Sequence, residues 1–177
     1  GCGGGCFGGD SVVQVLVGDE SKQMCVVEKQ VKFVQSTDMM RVSEGFAKVE
    51  CVVEIPRSRS KNIISLPCGL QITGRHPVRI SGEWKPAAKV EHAKSVPNNE
   101  AGVVYNFVLN RCHICIVNGI ECITWGHGRN EKGVEHPFYG SRAIVEQLKS
   151  LSGWESGRVK LKGFVKSSAT NSVVGLY

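Results

Sequence analysis

Short apolar runs, separated by turn residues, recur along most of the chain. Over residues 46–55 apolar and polar residues alternate until Pro56 ends the run, which is the pattern of a strand with one buried face. Asn118-Gly119 lies between two strand-like runs and predicts a hairpin turn. So many short strands predict an all-β core. The other strand-like runs cover residues 12–17, 26–34, 63–66, 70–73, 77–80, 103–109, 113–124, 158–165 and 172–176.

One segment, residues 141–151, follows a helical period instead. Ser141 can cap its start and Gly153 can end it. We predict one helix that covers the core and has no catalytic role. The chain then divides into an upstream leader (1–5), a β core (6–125) and a small C-terminal appendage (126–177). The apolar face of the helix comprises Ile144, Val145, Leu148 and Leu151.

Size and charge favour one compact domain, expected to be a monomer. The chain has 177 residues, of which 41% are hydrophobic, and can bury one substantial core. Its formal net charge is +6, but basic residues are interleaved with acids, so we expect a solvated surface rather than a nucleic-acid partner. No apolar run is long enough to span a membrane. Because the chain starts with glycine and without a signal peptide, we expect a piece of a larger precursor.

The eight cysteines are compatible with a disulfide framework or with free thiols. We favour thiols in a reducing, cytoplasmic environment, since a core of this size does not need disulfide bonds for stability and a nucleophilic cysteine must stay reduced. Cys25, Cys51 and Cys68 lie among apolar residues and are interpreted as buried core positions.

Candidate chemistry begins at Gly5-Cys6. A thiol on the residue after a peptide carbonyl can attack that carbonyl through a five-membered ring, which moves the acyl group from nitrogen to sulfur. Free cysteine titrates near ~8.5, so Cys6 needs a base or a local field. A Thr-x-x-His pair, Thr73 and His76, is available to hold the peptide and to protonate the departing nitrogen.

Three blocks in the same order resemble the Hint superfamily of hedgehog C-terminal domains and inteins, and most of all its Vint type, found beside von Willebrand A domains. They start at Cys6, at Thr73-Gly74-Arg75-His76-Pro77-Val78, and at residues 104–120. The resemblance implies a horseshoe of short strands. It also implies that Thr73 holds the scissile Gly5-Cys6 bond, that His76 donates to the leaving nitrogen, and that His113 matches a late histidine of the family.

The chain departs from the family pattern at two places. Many inteins carry aspartate where this chain has Asn106, so the base for Cys6 is unidentified; Asn106 and Asp10 are candidate supporting residues. Residues 121–124 read Glu-Cys-Ile-Thr, without the asparagine that splicing inteins cyclise. Complete splicing is therefore not expected. Cys122 could be a second, exchange-competent thiol, as in hedgehog proteins, or an ordinary buried residue.

These residues predict a self-processing domain that needs no cofactor and no metal. Its substrate is its own upstream polypeptide, and the thioester at Gly5 is resolved by water, an amine, a thiol or a sterol. One alternative is a Hint-derived binding module with little chemistry, favoured by Asn106 and the missing asparagine. Another is a zinc site in the second half. Its ligands would come from Cys112, Cys115, Cys122, His127 and His136.

Overall fold

The computed structural model describes residues 5–57, 62–97 and 102–177. Most of the predicted leader, residues 1–4 with Cys2, lies outside these ranges. The described residues form mostly β-structure, as predicted. Fourteen strands join in one curled half-barrel sheet, and two more form a separate pair. The strands are β1 (Phe7–Gly8), β2 (Val12–Gly18), β3 (Met24–Gln30), β4 (Met39–Val42), β5 (Gly45–Pro56), β6 (Ile63–Ser65), β7 (Gln71–Thr73), β8 (Pro77–Ile80), β9 (Glu83–Pro86), β10 (Lys94–Val96), β11 (Val103–Leu109), β12 (Ile114–Val117), β13 (Ile120–Ile123), β14 (Arg158–Lys160), β15 (Phe164–Lys166) and β16 (Val173–Leu176).

The order of the strands places distant segments side by side. Across the large sheet they run β10, β6, β7, β1, β11, β5, β4, β2, β12, β13, β8 and β9, with β3 added beside β2 and β14 beside β5. The short strand β1 lies between β7 and β11, so that Phe7 faces Ile72 on one side and Tyr105 on the other. This position brings residues from three separate parts of the chain to the start of β1.

Several predicted strands needed correction. The run 26–34 ends as a strand at Gln30, because Val31–Phe33 form a 3-10 turn that carries Val31 and Val34 into the core. Residues 158–165 give two short strands, since β14 pairs with β5 whereas β15 pairs with β16. The run 113–124 is a hairpin, as Asn118-Gly119 predicted, and both turn residues have positive φ.

The apolar side chains form two main cores on opposite faces of the sheet. The first core lies inside the curl and contains Phe7, Val15, Met40, Phe107 and Cys122 among others. The second core lies between the outer face of β1, β5 and β11 and the C-terminal segment, residues 126–177. That segment contributes Phe138, Tyr139, Ile144, Val145, Leu148, Val159, Leu161, Val173 and Leu176 to the second core.

The predicted helix is present as α1 (Arg142–Lys149). Ser141 caps it, since its Oγ accepts a hydrogen bond from the Ala143 N–H at 3.2 Å. Nearby, β14 runs parallel to β5, and Arg158 forms an ion pair with Glu54 at 3.1 Å. The C-terminal segment is thus joined to the main sheet by backbone pairing as well as by packing.

Two of the three cysteines interpreted as core residues are on the surface. Cys51 is buried, but Cys25 and Cys68 are exposed. Cys25 lies on β3, an edge strand exposed on both faces, where apolar residues do not indicate burial. Cys68 lies in the turn closed by the Gly69 N–H and the Leu66 carbonyl. Within the described ranges, no helix has the length and apolar character to cross a membrane.

Candidate active site

The peptide unit around Cys6 is held by the end of β7. The Cys6 N–H donates to Thr73 Oγ1 at 2.9 Å, and the Thr73 N–H donates to the Cys6 carbonyl at 2.9 Å. Cys6 itself has no exposed surface, and Thr73 is 4% exposed. The nitrogen that would leave in an acyl shift is therefore fixed by the threonine that the sequence singled out.

The carbonyl on the other side of this peptide bond is held by Asn106 on β11. Asn106 Nδ2 donates to the Gly5 carbonyl at 2.8 Å, while its Oδ1 accepts from the Phe107 N–H at 2.7 Å. The second bond fixes which end of the amide faces Gly5. A fixed donor on a reacting carbonyl stabilises the negative charge that develops on its oxygen. Asn106 is thus placed as a hydrogen-bond donor and not as the base that the family's aspartate suggested.

His76 is buried in one defined tautomer. Its Nε2 lies 2.7 Å from the Ile123 carbonyl, which can only accept, so Nε2 carries the hydrogen. Nδ1 then has the lone pair, and among the described residues no hydrogen-bond partner reaches it. Burial lowers the pKa of His76 to about 4, partly opposed by the backbone of Ile123 and Cys6. The imidazole is neutral at pH 7 and keeps a basic nitrogen inside the protein.

The ring of His76 lies directly against Gly5. Gly5 is buried with φ +65°, and a Cβ added to it would overlap Cγ, Cβ and Nδ1 of His76. A side chain at position 5 would therefore clash with the histidine and strain the backbone. Glycine is the residue that allows this approach.

The structure leaves two of the candidate residues away from the group of Cys6, Thr73, His76 and Asn106. Asp10 is exposed and pairs with Lys32 at 2.7 Å. Cys122 is wholly buried in the first core, across from Cys115, whereas Cys6 belongs to the second core. Burial raises the pKa of Cys122 well above its usual range.

His113 directly precedes β12, which pairs with β13, and the carbonyl of Ile123 at the end of β13 contacts His76. His113 is partly buried, and burial lowers the pKa of its imidazole, while Glu50 and Arg142 act on it in opposite directions. Its backbone carbonyl accepts from the N–H and the Oγ1 of Thr124 at 3.0 and 2.9 Å. These bonds fix Thr124, the residue that follows β13.

Sequence reasoning named His127 as a possible zinc ligand and did not predict its position near His76. This residue lies in Gly126-His127-Gly128 and is 8% exposed, with its Nδ1 accepting from the Arg129 N–H at 2.9 Å. Burial lowers its pKa to about 4, and its charge would in turn lower the pKa of His76. A histidine between two glycines gave no periodic signal that could have placed it there.

The positions of the candidate zinc ligands do not support the zinc alternative. Within the described parts of the chain, no group of three or more His, Cys, Asp or Glu side chains is placed to hold a metal ion. Cys112 Sγ lies 3.2 Å from Ser43 Oγ, and Cys115 is buried in the first core. The His136 Nδ1 accepts from the Phe138 and Tyr139 N–H groups.

Comparison with known families identifies the fold that carries this site. The sequence profile named Vint, a Hint-domain profile, matches residues 5–175. The chain belongs to the Vint family of Hint domains. Among curated proteins, none matches the sequence of this chain.

Among solved structures, the Vint domain is similar to two inteins at low sequence identity. The crystal structure of the gp41-1 intein has a TM-score of 0.49 at 12% identity, over 68% of this chain and 99% of that one. The VidaL intein, a selenomethionine variant, has a TM-score of 0.49 at 10% identity, over 67% and 96% of the two chains.

Proposed function

We propose that this Vint domain makes an N-to-S acyl shift at the Gly5-Cys6 bond. The observation that carries the proposal is that both ends of one peptide bond are held by side chains: Asn106 donates to the Gly5 carbonyl, and Thr73 accepts from the Cys6 N–H. Cys6, whose nitrogen is part of this bond, also supplies the thiol. A Hint fold supports self-processing in general, and these contacts support this particular bond as its substrate.

In the proposed shift, the Cys6 sulfur attacks the Gly5 carbonyl carbon. An S–C bond forms and the C–N bond breaks, so that Cys6 is left with a free amine and Gly5 becomes an acyl thioester. Asn106 Nδ2 stabilises the oxygen during the attack. His76 Nδ1, the basic nitrogen against Gly5, takes the thiol proton and delivers it to the departing nitrogen.

The proposed thioester is then resolved without splicing. Water gives a carboxylate at Gly5 and regenerates the Cys6 thiol, while an amine, thiol or hydroxyl takes the acyl group with the same release of Cys6. Residues 121–124, at the end of β13, read Glu-Cys-Ile-Thr and lack the asparagine that splicing inteins cyclise. Excision of the domain is therefore not proposed.

The test is the intact mass of a reporter fused to residues 1–177, followed over time with and without dithiothreitol. We expect cleavage between Gly5 and Cys6, accelerated by the thiol. Cys6→Ala should abolish it. The matched control is Cys51→Ala, because Cys51 is equally buried in the second core but lies away from the scissile bond. Equal cleavage by wild type and Cys6→Ala would overturn the proposal.

A binding module without chemistry is a second candidate, and one observation favours it. Gly5 and Cys6 are both buried, and the position of the family's aspartate holds the neutral Asn106. On this hypothesis the fused reporter keeps its full mass in every condition. Denaturing the protein in hydroxylamine, which traps any thioester, separates the two candidates: a trapped hydroxamate at Gly5 rules out the binding module.

A further inference from the structure

The proposed thioester would form beneath side chains that arrive from the far end of the sequence. Cys6 directly precedes β1 and has no exposed surface, and its side chain belongs to the second core on the outer face of the sheet. On that face it shares the second core with Tyr139, Leu148 and Leu176. The C-terminal segment therefore closes the side of the sheet on which Cys6 lies.

Three aromatic residues form a connected group within this cover, called here the aromatic wall: Trp125, Tyr139 and Phe164. The ring centroids of Trp125 and Tyr139 are 5.5 Å apart, and the Phe164 ring lies edge-on to both, at 6.3 and 6.2 Å. Trp125 and Tyr139 are 1% exposed, whereas Phe164 is only partly buried. Phe164 is thus the wall residue nearest to solvent.

The wall is fastened to the rest of the domain. The Gly126 N–H donates to the Tyr139 carbonyl at 2.7 Å, which ties the two ends of the loop between Trp125 and Tyr139. The Lys162 N–H donates to the Tyr177 carbonyl at 2.7 Å, next to the strand that carries Phe164. These backbone bonds hold the rings in place, so the site is closed in the ground state.

We propose that the aromatic wall selects the nucleophile that resolves the thioester: it slows attack by water and excludes bulky acceptors until it opens. The proposal rests on the proposed acyl shift at Gly5-Cys6. An apolar cover removes bulk water from a reactive intermediate and so suppresses its hydrolysis. Because packed aromatic rings leave little room, the penalty should grow with the size of the nucleophile.

The three competing reactions, with water, glutathione and hydroxylamine, each release the Cys6 thiol. With water, the thioester gives a carboxylic acid at Gly5 and a thiol at Cys6. With glutathione, the acyl group moves from the Cys6 sulfur to the glutathione sulfur, and the proton of the incoming thiol ends on Cys6. With hydroxylamine the product at Gly5 is a hydroxamate. Neither an oxidant nor a metal is needed for any of them.

The experiment compares the fused wild-type protein with Phe164→Ala, which removes the ring nearest to solvent. Native protein is incubated with hydroxylamine, a small nucleophile, and in parallel with glutathione, a bulky one, and product masses are followed. Each rate is divided by the thioester fraction trapped in denaturant at time zero. We expect Phe164→Ala to raise the glutathione rate about tenfold, which corresponds to about 1.4 kcal/mol in the barrier, and the hydroxylamine rate much less.

A matched control and a conservative variant keep the test specific. Ile120 is a partly buried apolar residue packed against the first core, so Ile120→Ala loosens the protein elsewhere and should leave the ratio of the two rates unchanged. Phe164→Leu keeps an apolar side chain of similar reach and should restore most of the wild-type ratio. Thermal melts of the variants check that all remain folded at the assay temperature.

The outcomes separate this inference from the function on which it rests. If no hydroxamate is trapped in denaturant from any variant, the proposed acyl shift fails. If the thioester forms but Phe164→Ala changes both rates by the same factor, or neither, the wall does not select and the inference is overturned. An Ile120→Ala protein with the same altered ratio would also overturn it, because general loosening would then explain the effect.

Discussion

The two faces of the sheet bury cysteines in different surroundings. On the inner face, Cys115 and Cys122 are opposed across a hairpin in an apolar core, and burial raises the pKa of Cys115 to about 12. On the outer face, Cys6 is equally buried but lies beside a fixed amide donor and a neutral histidine. Burial alone therefore does not distinguish an inert thiol from a candidate nucleophile. The polar groups on the adjoining peptide bond do.

Among the substitutions that test this difference between the two faces, the largest effect is expected at His76. Replacing it with glutamine removes the basic Nδ1 that lies against Gly5, so the proposed proton transfer loses its carrier. We expect cleavage of the fused reporter to slow by about 10²–10⁴-fold. The measurement is the cleavage rate by intact mass. A loss below threefold, in a protein that still melts cooperatively, would mean that water or the backbone moves the proton.

Substitutions of Asn106 test whether the proposed acyl shift on the outer face depends on the hydrogen bond to the Gly5 carbonyl. Asn106→Ala removes the donor to the Gly5 carbonyl, and the loss of one such donor typically costs about 10²–10³-fold in rate. Asn106→Asp places an acceptor at the same position and should also slow thioester formation, as measured by trapping in denaturant. Faster formation in Asn106→Asp would show that a base is needed there, as the family's aspartate suggested.

The dependence of stability on pH sharpens the comparison further. The pKa of His76 is lowered to about 4 in the folded protein, so below ~6.5 the unfolded chain binds a proton that the native state resists. The contribution of uncharged His76 to the free energy of unfolding is complete above that pH and is lost as the pH falls. Between pH 7 and 5 it should cost about 2 kcal/mol in the free energy of unfolding, measured by denaturant titration. His76→Gln should reduce this dependence, while the share of His127, whose pKa is also lowered to about 4, should remain.

The exposed histidine provides the control for that measurement. His92 is on the surface, so His92→Gln should leave the pH profile as in wild type. If His76→Gln and wild type lose stability in parallel between pH 7 and 5, His76 is charged in the native state and cannot act as the proposed base.

The smallest effect is expected on the inner face. Cys122→Ala removes a buried sulfur from the first core and should lower the free energy of unfolding by about 1 kcal/mol, a typical value for a point substitution. Cleavage at Gly5-Cys6 should stay at the wild-type rate. A loss of acyl transfer in this variant, with thioester formation intact, would instead assign Cys122 the exchange role that its hedgehog-like strand suggests.

The sequence predicted the long elements well because each has its own periodic signal. Strand β5 alternates except at the buried run 51–53, and α1 has a cap and one apolar face. Four strands were missed, β1, β4, β9 and β10, and the last two have no such signal: β9 contains proline, and two of the three residues of β10 are exposed. Their place depends on pairing with other strands, which residue patterns do not report. Cys25 was misplaced for the same reason, because β3 is an edge.

The site was only partly predictable. The Thr73 and His76 pair follows from a short motif, and both residues lie at the Gly5-Cys6 peptide bond. The donation from Asn106 depends on the register between β1 and β11, nearly a hundred residues apart along the chain. His127 and the aromatic wall depend on the fold of the C-terminal segment, for which sequence alone predicted a helix and offered His127 and His136 only as zinc ligands.

The pairing of β14 with β5 and the late entry of Leu176 into the second core have a consequence for the timing of biosynthesis. Cys6 leaves the ribosome about 170 residues before Leu176, a delay of roughly 10 to 30 seconds at ~5–20 residues per second. During that interval the cover over the thiol does not exist, since its strands have not been translated. A nascent chain therefore exposes the Gly5-Cys6 peptide bond to solvent and to folding factors before the finished domain encloses it.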